Sequence, residues 1–150
     1  MMIQLQFPIF VSLPVVVTLL LSCLVGCTPE TPNADVFTTQ MHLGGSTLSV
    51  LKATKQEQFF ELASNMPALN DNKAIWYVFD KAGMTCLGMQ YTSQDVDVAF
   101  MDTNHKIVEI SHLHAHGTSG CPHQDVASIL ELPDHWLDQH HISIGFTLTD

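Results

Sequence analysis

Eight of the nine histidines lie between His105 and His141, and five potential metal ligands are concentrated in a short part of that region. These ligands are His112, His114, His116, Cys121 and His123. On a β-strand, alternate residues share a face about 6.5 to 7 Å apart, which lets two imidazoles bracket one metal ion at about 2 Å each. The other ligands could complete a tetrahedral Zn site or a Cu site. The alternative is a mobile loop, indicated by the glycines at 117 and 120, in which the histidines are merely polar.

Two thiols follow Cys27 in the chain, Cys86 and Cys121. In an oxidising compartment an even pair favours a disulfide, which would close a loop of about 36 residues and contribute roughly 3 to 4 kcal/mol on the chain-entropy model. The alternatives are two buried free thiols or a metal-ligating Cys121. Because an oxidised sulfur does not ligate, the disulfide and the five-ligand metal site exclude each other.

Two carboxylates, Asp95 and Asp97, are placed two residues apart on a predicted strand and therefore on one face. Such a pair could transfer protons or hold Ca²⁺. The alternative is a solvated face, in which Asp97 anchors neighbouring backbone N–H groups. The sequence has no Gly-x-Ser-x-Gly motif and no Walker loop. An enzymatic role is accordingly not favoured.

Lipidation chemistry is indicated near the N-terminus. Residues 1–26 contain no ionisable side chain and end in Leu24-Val25-Gly26, before Cys27, which is typical of a bacterial lipobox. The pattern predicts a signal peptide over residues 1–26 and a diacylglyceryl group on Cys27. The alternative is an uncleaved membrane helix, and the lack of Lys or Arg before residue 7 departs from an ordinary signal peptide. Thr28 after the cysteine is typical of sorting to the outer membrane.

The elements that must position these residues follow from apolar patterning. Residues 27–45 contain two prolines, a Gly pair and no apolar period, which predicts a flexible tether before a domain over residues 46–150. A Thr54-x-x-Glu57 capping box predicts a helix from Lys55, and Pro133 opens a second helical turn. Apolar runs predict strands over residues 47–53, 75–79, 95–101, 106–113, 126–132 and 143–149. This pattern predicts a compact, mainly β domain, similar to a small barrel or sandwich, with one or two short helices.

Three consecutive blocks of the chain resemble the family called domain of unknown function 192. They are Ala74–Asp80, Cys86–Thr92 and Val96–Asp102, and their spacing matches the family pattern without a gap. The similarity extends over about residues 46 to 149. It implies a small, mainly β fold, frequent export and no established activity.

The same resemblance suggests where a ligand would bind. Met89, Thr92 and Asp97 match the family pattern, and we expect a small ligand pocket around them. Gly88 and Gln90 stand where the family has Trp and Lys, so a ligand shared with the family is not implied.

Composition excludes one class of partner. The five basic residues are all Lys, against 15 acidic ones, and the formal net charge is −10 at pH 7. A chain without Arg and with this charge repels polyanions, so nucleic acid is not expected as a partner.

Two functional hypotheses follow. The first is a non-catalytic, lipid-anchored protein on the periplasmic side of the cell envelope, without a cofactor, which binds an envelope ligand or protein through the pocket. The second is a metal carrier or small hydrolase that binds Zn or Cu through His112, His114, His116 and His123.

Overall fold

The computed structural model describes residues 36–150. The predicted signal peptide, Cys27 and the first part of the predicted tether lie outside these residues. No helix within the described range is long and apolar enough to cross a membrane. The range contains six strands and two helices: β1 (Thr39–Leu43), β2 (Ser46–Ala53), α1 (Gln56–Ser64), β3 (Lys73–Gly83), β4 (Val96–Met101), β5 (Ile107–Leu113), β6 (Val126–Pro133) and α2 (Trp136–Gln139).

The strands form a single mixed sheet in the order β1-β2-β3-β6-β4-β5. Strands β2 and β3 are parallel, and the other neighbours are antiparallel. Parallel neighbours need a crossover connection, which α1 supplies between β2 and β3. The prediction of a mainly β domain with two short helices is confirmed, and the sheet is not closed into a barrel.

Alternating side chains divide the core between the two faces of this sheet. On the face covered by α2, here called the α2 face, Trp76, Ala99 and Leu130 pack with Trp136 and Leu137 of the helix. On the opposite face, here called the α1 face, the buried side chains include Ile75, Tyr77, Val98, Phe100 and Ile129, and Phe59 and Leu62 of α1 pack against them. Each face therefore offers a separate place for a site.

The prediction of a tether as far as residue 45 is wrong for its last seven residues. Residues 39–43 form β1, which pairs with β2, and Met41 and Leu43 are buried. The Gly pair makes the connecting turn, with Gly44 at a φ of 57°. A Cβ on Gly44 would overlap the Ile142 side chain, so this turn requires glycine both for its conformation and for space.

The helix predicted from Lys55 is confirmed, because α1 begins at Gln56 with Lys55 as its N-cap residue. Its cap differs from the predicted capping box. The side-chain Oε1 of Gln58, and not Glu57, accepts hydrogen bonds from the backbone N–H groups of Thr54 and Lys55 at 2.9 and 3.0 Å. None of the helix residues is buried, so α1 covers its face of the sheet without joining the core.

The strand predicted over residues 143–149 does not form. This segment makes isolated bridges, Thr147 with Lys106 and Thr149 with His42. His42 belongs to β1 and Lys106 directly precedes β5, and β1 and β5 are the two edge strands. The C-terminal segment therefore contacts the sheet at both of its edges. Gly145, at a φ of 103°, interrupts the extended conformation that a continuous strand would need.

Candidate functional site

The three predicted pocket residues do not line one pocket. Met89 is completely buried in the core of the α1 face, and Thr92 lines a cavity on that same face. Asp97 lies on the opposite face, where its carboxylate accepts a hydrogen bond from the backbone N–H of Leu137 in α2 at 2.8 Å. The prediction of a common pocket is therefore wrong, because Asp97 shares the strand parity of Ala99 and Met101 on the α2 face.

A cavity of about 220 Å³ lies between α1, the sheet and the loop that follows β3. Its wall on the helix side includes Phe59, Phe60 and Leu62. The ring of Phe59 packs edge-to-face on Tyr77 and Phe79, with centroid distances of 5.6 and 5.7 Å. Phe60 is 66% exposed at the edge of this cavity. The lining is mostly apolar, as is usual for small-molecule sites.

Two polar side chains on the sheet lie at the inner wall of the cavity. The Tyr77 hydroxyl donates a hydrogen bond to Oε2 of Glu131 at 2.8 Å, and both residues line the cavity. Glu131 is 2% exposed, and burial raises its pKa to about 7. Burial and the neighbouring Glu131 carboxylate also raise the pKa of Tyr77. A carboxyl group that changes charge near neutral pH thus faces an apolar cavity.

The predicted disulfide is confirmed. Cys86 and Cys121 are bonded, with their Cα atoms 4.1 Å apart. Beside the bond, the backbones of Leu87 and Gly120 form a β-bridge. Cys86 and Leu87 both line the cavity, so the disulfide holds the loop that makes one of its walls. Because Cys121 is oxidised, it is removed from the predicted set of metal ligands.

The predicted histidine set is only partly brought together. The rings of His112 and His114 are neighbours, with centroids 5.1 Å apart. His116 instead places Nδ1 3.5 Å from the backbone oxygen of Gln90. His123 lies beside Glu109, with Nδ1 2.8 Å from its carboxylate. The four histidines predicted as ligands therefore do not form one cluster.

Carboxylates stand behind the two neighbouring histidines. Nδ1 of His112 is 3.0 Å from Oδ1 of Asp97, which lies opposite it in the β4–β5 pair. Nδ1 of His114 is 2.9 Å from Oδ2 of Asp95, whose other oxygen accepts the backbone N–H of Ala115 at 2.8 Å. Each carboxylate therefore orients one imidazole, an arrangement that is common around protein metal sites.

These pairs shift the acidities of their members. The hydrogen bond that His112 donates to the Asp97 carboxylate raises the pKa of His112, and the nearby carboxylate of Asp134 acts in the same direction. The backbone N–H of Ala115, followed by the hydrogen bond with His114, lowers the pKa of Asp95. Negative charge is thus concentrated around the imidazole of His112.

Two residues at the N-terminus of α2 join His112. Nε2 of His112 lies 3.2 Å from Oδ1 of Asp134, and Nε2 of His135 lies 3.7 Å from Oδ2 of the same residue. The rings of His112 and His135 are stacked, with a centroid distance of 5.0 Å and an interplanar angle of 14°. The β5 edge of the sheet and the turn before α2 therefore build a cluster of two imidazoles around one carboxylate.

The site residues predicted from the sequence do not include Tyr77, Glu131, Asp134 or His135. One pattern points to Glu131: in the predicted strand over residues 126–132, it shares the parity of Ile129, on a face that must be buried. An acidic residue at an inward position is uncommon and indicates a functional role. The contact of Asp134 and His135 with His112 depends on tertiary structure, and strand periodicity gives no indication of it.

Comparisons with known proteins agree with the fold. The family model DUF192, described as "Uncharacterized ACR", matches residues 39–149. A crystal structure of a "putative transcription regulator" from Sinorhizobium meliloti 1021 is similar with a TM-score of 0.67 and 20% identity, over 73% of this chain and 90% of that one. A protein of unknown function from Novosphingobium aromaticivorans DSM 12444 has a TM-score of 0.67 and 11% identity, over 80% of this chain and 99% of that one. No curated protein matches this chain. At these identities the two structures show a common fold and not a common function.

Proposed function

Since this chain belongs to the DUF192 family of uncharacterised proteins, we propose that it is a non-catalytic binding module whose ligand occupies the cavity under α1. The ligand is a small, mainly apolar molecule that carries one amine group. The proposal replaces the pocket predicted around Met89, Thr92 and Asp97 and keeps only Thr92 from it.

The observation that carries this proposal is the position of Glu131. Its carboxyl group is buried, it lines the cavity, and within residues 36–150 its only side-chain hydrogen bond is the one to Tyr77 through Oε2. Oε1 is therefore available to accept a hydrogen bond. Burying an ionisable group without a full set of partners costs free energy, and an ammonium group in the cavity would offset that cost.

The helix above the cavity supports entry of a ligand. None of the residues of α1 is buried, and its contacts with the α1 face are made by half-buried side chains such as Phe59 and Leu62. Moving the helix exposes less core than moving a strand would, so it can open the cavity at modest cost. The disulfide holds the opposite wall in place while the helix moves.

The experiment is a titration of the purified full chain with benzylamine, followed by ¹H–¹⁵N NMR. Saturable shifts are expected at Phe59, Tyr77 and Glu131, and benzoate should give none because its carboxylate is repelled. The Glu131→Gln variant should bind benzylamine about tenfold more weakly, since it removes the charge-assisted hydrogen bond.

Glu109→Gln is the matched control, because Glu109 lies on β5, outside the cavity, next to His123. This variant should bind benzylamine as the wild type does. Equal affinities of the wild type and Glu131→Gln, or shifts spread evenly over the surface, would contradict the proposal.

The location proposed for this module is the periplasmic side of the cell envelope, at the outer membrane, with Cys27 as the lipidated first residue. The charge-free segment 1–26 and the residues before Cys27 support it. The Cys86–Cys121 disulfide supports it as well, because such bonds persist in oxidising compartments. Acyl chains hold a protein on a membrane without a basic patch, so the net charge of −10 is compatible with this anchor.

A further inference from the structure

We propose that the chain binds a divalent transition-metal ion, Zn²⁺ above all, through His112, Asp134 and His135 on the α2 face. This site is separate from the cavity on the α1 face and does not depend on the proposed ligand. Of the four histidines predicted as ligands from the sequence, it contains only His112.

The spacing of the donor atoms suits one ion. The potential ligand atoms of His112, Asp134 and His135 all lie within 4.8 Å of one another. Around a tetrahedral Zn²⁺ with bonds of about 2.0 to 2.2 Å, neighbouring donors are roughly 3.3 Å apart. The 3.2 Å between Nε2 of His112 and Oδ1 of Asp134 already matches this value. His135 is exposed and can close the remaining distance with a small rotation.

Asp97 prepares His112 as a ligand. Its Oδ1 lies 3.0 Å from Nδ1 of His112, so in the metal-binding tautomer Nδ1 donates to the carboxylate and the lone pair is on Nε2, which is 3.2 Å from Oδ1 of Asp134. The other oxygen of Asp97 accepts the N–H of Leu137 at 2.8 Å, and Asp97 is only 5% exposed. A buried carboxylate that is fixed at both oxygens holds the imidazole of His112 in one orientation, and it thereby sets the direction from which Nε2 would bind a metal ion.

The second imidazole distinguishes a metal site from a simple ion pair. If His112 only formed an ion pair as an imidazolium, a parallel imidazole 5.0 Å away would add only a weak stacking attraction, and the two rings would repel each other if both were protonated. Around a metal ion, both imidazoles contribute lone pairs. The same turn places the carboxylate and the ring together, because Asp134 and His135 are consecutive residues.

A second cluster, Asp95 with His112 and His114, also has ligand atoms within 4.8 Å of one another. Its carboxylate is already engaged, since the two oxygens of Asp95 accept from His114 and from the backbone of Ala115. Within the described residues, the Asp134 carboxylate forms ion pairs only with the two histidines of the proposed site. We therefore assign Asp134 as the carboxylate ligand, and His114 remains outside the site.

The ligand set also determines the class of ion. Two imidazoles and one carboxylate suit Zn²⁺, Ni²⁺ or Cu²⁺ better than Ca²⁺ or Mg²⁺, which prefer oxygen ligands. Three protein ligands leave one position of a tetrahedral ion open for water or for a small anion.

The test is isothermal titration of ZnCl₂ into the full chain, purified without a polyhistidine tag. Cys23→Ser and Cys27→Ser are present throughout, so that free thiols do not bind the ion. The expected result is one Zn²⁺ per chain. His112→Ala and Asp134→Asn should each weaken binding by about a hundredfold, and Asp97→Asn by roughly tenfold or more.

His123→Ala is the matched control, because His123 also pairs with a carboxylate, Glu109, but belongs to neither cluster. It should bind Zn²⁺ as the parent does. Failure of the parent to bind one Zn²⁺, or equal losses in His123→Ala and His112→Ala, would overturn the proposal.

A variant that keeps the fold intact protects the test against misfolding. His135→Asn retains a residue that tolerates the left-handed φ of 59° at this position and removes the imidazole. It should lose Zn²⁺ affinity at least about tenfold while keeping the circular dichroism of the parent. Binding of Co²⁺ gives a second readout, since its visible absorption reports the number and type of ligands. An unchanged Co²⁺ spectrum in His135→Asn would remove this residue from the site and overturn the assignment.

Discussion

Glu131 combines three properties that rarely occur together at one residue. It is buried, it lines an apolar cavity, and within residues 36–150 its carboxyl group has one hydrogen-bond partner, the hydroxyl of Tyr77. Burial raises its pKa from the ordinary 4.5 to about 7. The residue therefore links the proposed ligand site to the stability of the domain.

The first prediction concerns the pH dependence of stability. Because the folded-state pKa of Glu131 is raised, its contribution is fully present below about pH 4.5 and is lost as the pH rises through 7. Between these values the wild type should lose about 3 kcal/mol of unfolding free energy relative to Glu131→Gln. Urea denaturation of both proteins from pH 4 to pH 8 measures this difference.

Glu109 is the comparison for Glu131, because its pKa is shifted in the opposite direction. The backbone N–H of His123 lowers the pKa of Glu109, so its contribution is present at neutral pH and is lost as the pH falls. The stability of Glu109→Gln should therefore run parallel to that of the wild type above pH 5. A constant difference between the wild type and Glu131→Gln over the whole range would show that Glu131 ionises normally.

At the scale of elements, the disulfide joins the connection after β3 to the connection before β6. Neither connection contains a strand in the described part of the chain. Cys86 follows β3 and Cys121 precedes β6, with a sequence separation of 35. Beside the bond, the bridge between Leu87 and Gly120 is the only β-pairing that either connection makes within residues 36–150. The disulfide therefore fixes the loop wall of the cavity.

The second prediction is that the Cys86→Ser/Cys121→Ser double variant loses about 3 to 4 kcal/mol of unfolding free energy, on the chain-entropy model. Reductant should destabilise the wild type by a similar amount and leave the double variant unchanged. Denaturation with and without dithiothreitol makes the comparison. Equal stabilities of the oxidised wild type and the double variant would mean that the loops are ordered without the bond.

Element boundaries also show what local patterns can and cannot predict. The helix after β2 is confirmed from its N-terminal residues, although Gln58 supplies the cap in place of Glu57. The strand predicted at the C-terminus is wrong, because Gly145 and the segment's isolated bridges prevent a continuous ladder. Strand β1 was missed, since five residues that alternate between exposed and buried positions resemble a polar linker.

At the scale of the whole molecule, the two candidate sites occupy opposite faces of one sheet. Strand β4 separates them, with Val98 and Phe100 facing the cavity side and Asp97 facing the histidine cluster. A two-faced sheet can therefore hold a ligand and a metal ion independently. The proposals also predict that Glu131→Gln leaves Zn²⁺ binding unchanged and that His112→Ala leaves benzylamine binding unchanged.

The third prediction concerns the attachment of the whole molecule to a membrane. Replacing the proposed lipidated residue, as in Cys27→Ala, should abolish incorporation of labelled palmitate in a bacterial host. Cys23→Ala, four residues earlier, is the matched control and should be labelled normally. Labelling that persists in Cys27→Ala would show that the lipobox interpretation is wrong.

The sequence alone was enough to predict the fold class, most strands, the helix after β2, the family and the Cys86–Cys121 bond, and these predictions are confirmed. They depend on local features: the alternation of apolar residues in strands, capping residues, short sequence blocks in the order of the family pattern, and an even number of thiols. Such features belong to short segments, and the structure that they predict depends little on the rest of the chain.

The site residues were decided by tertiary structure. Strand order placed β6 between β3 and β4, which brought Glu131 opposite Ile75 and beside Tyr77. The turn before α2 brought Asp134 and His135 to His112, and the disulfide removed Cys121 from the metal ligands. Contacts between residues 22 to 54 positions apart depend on how strands are ordered and which face each one presents, and no local pattern contains that information.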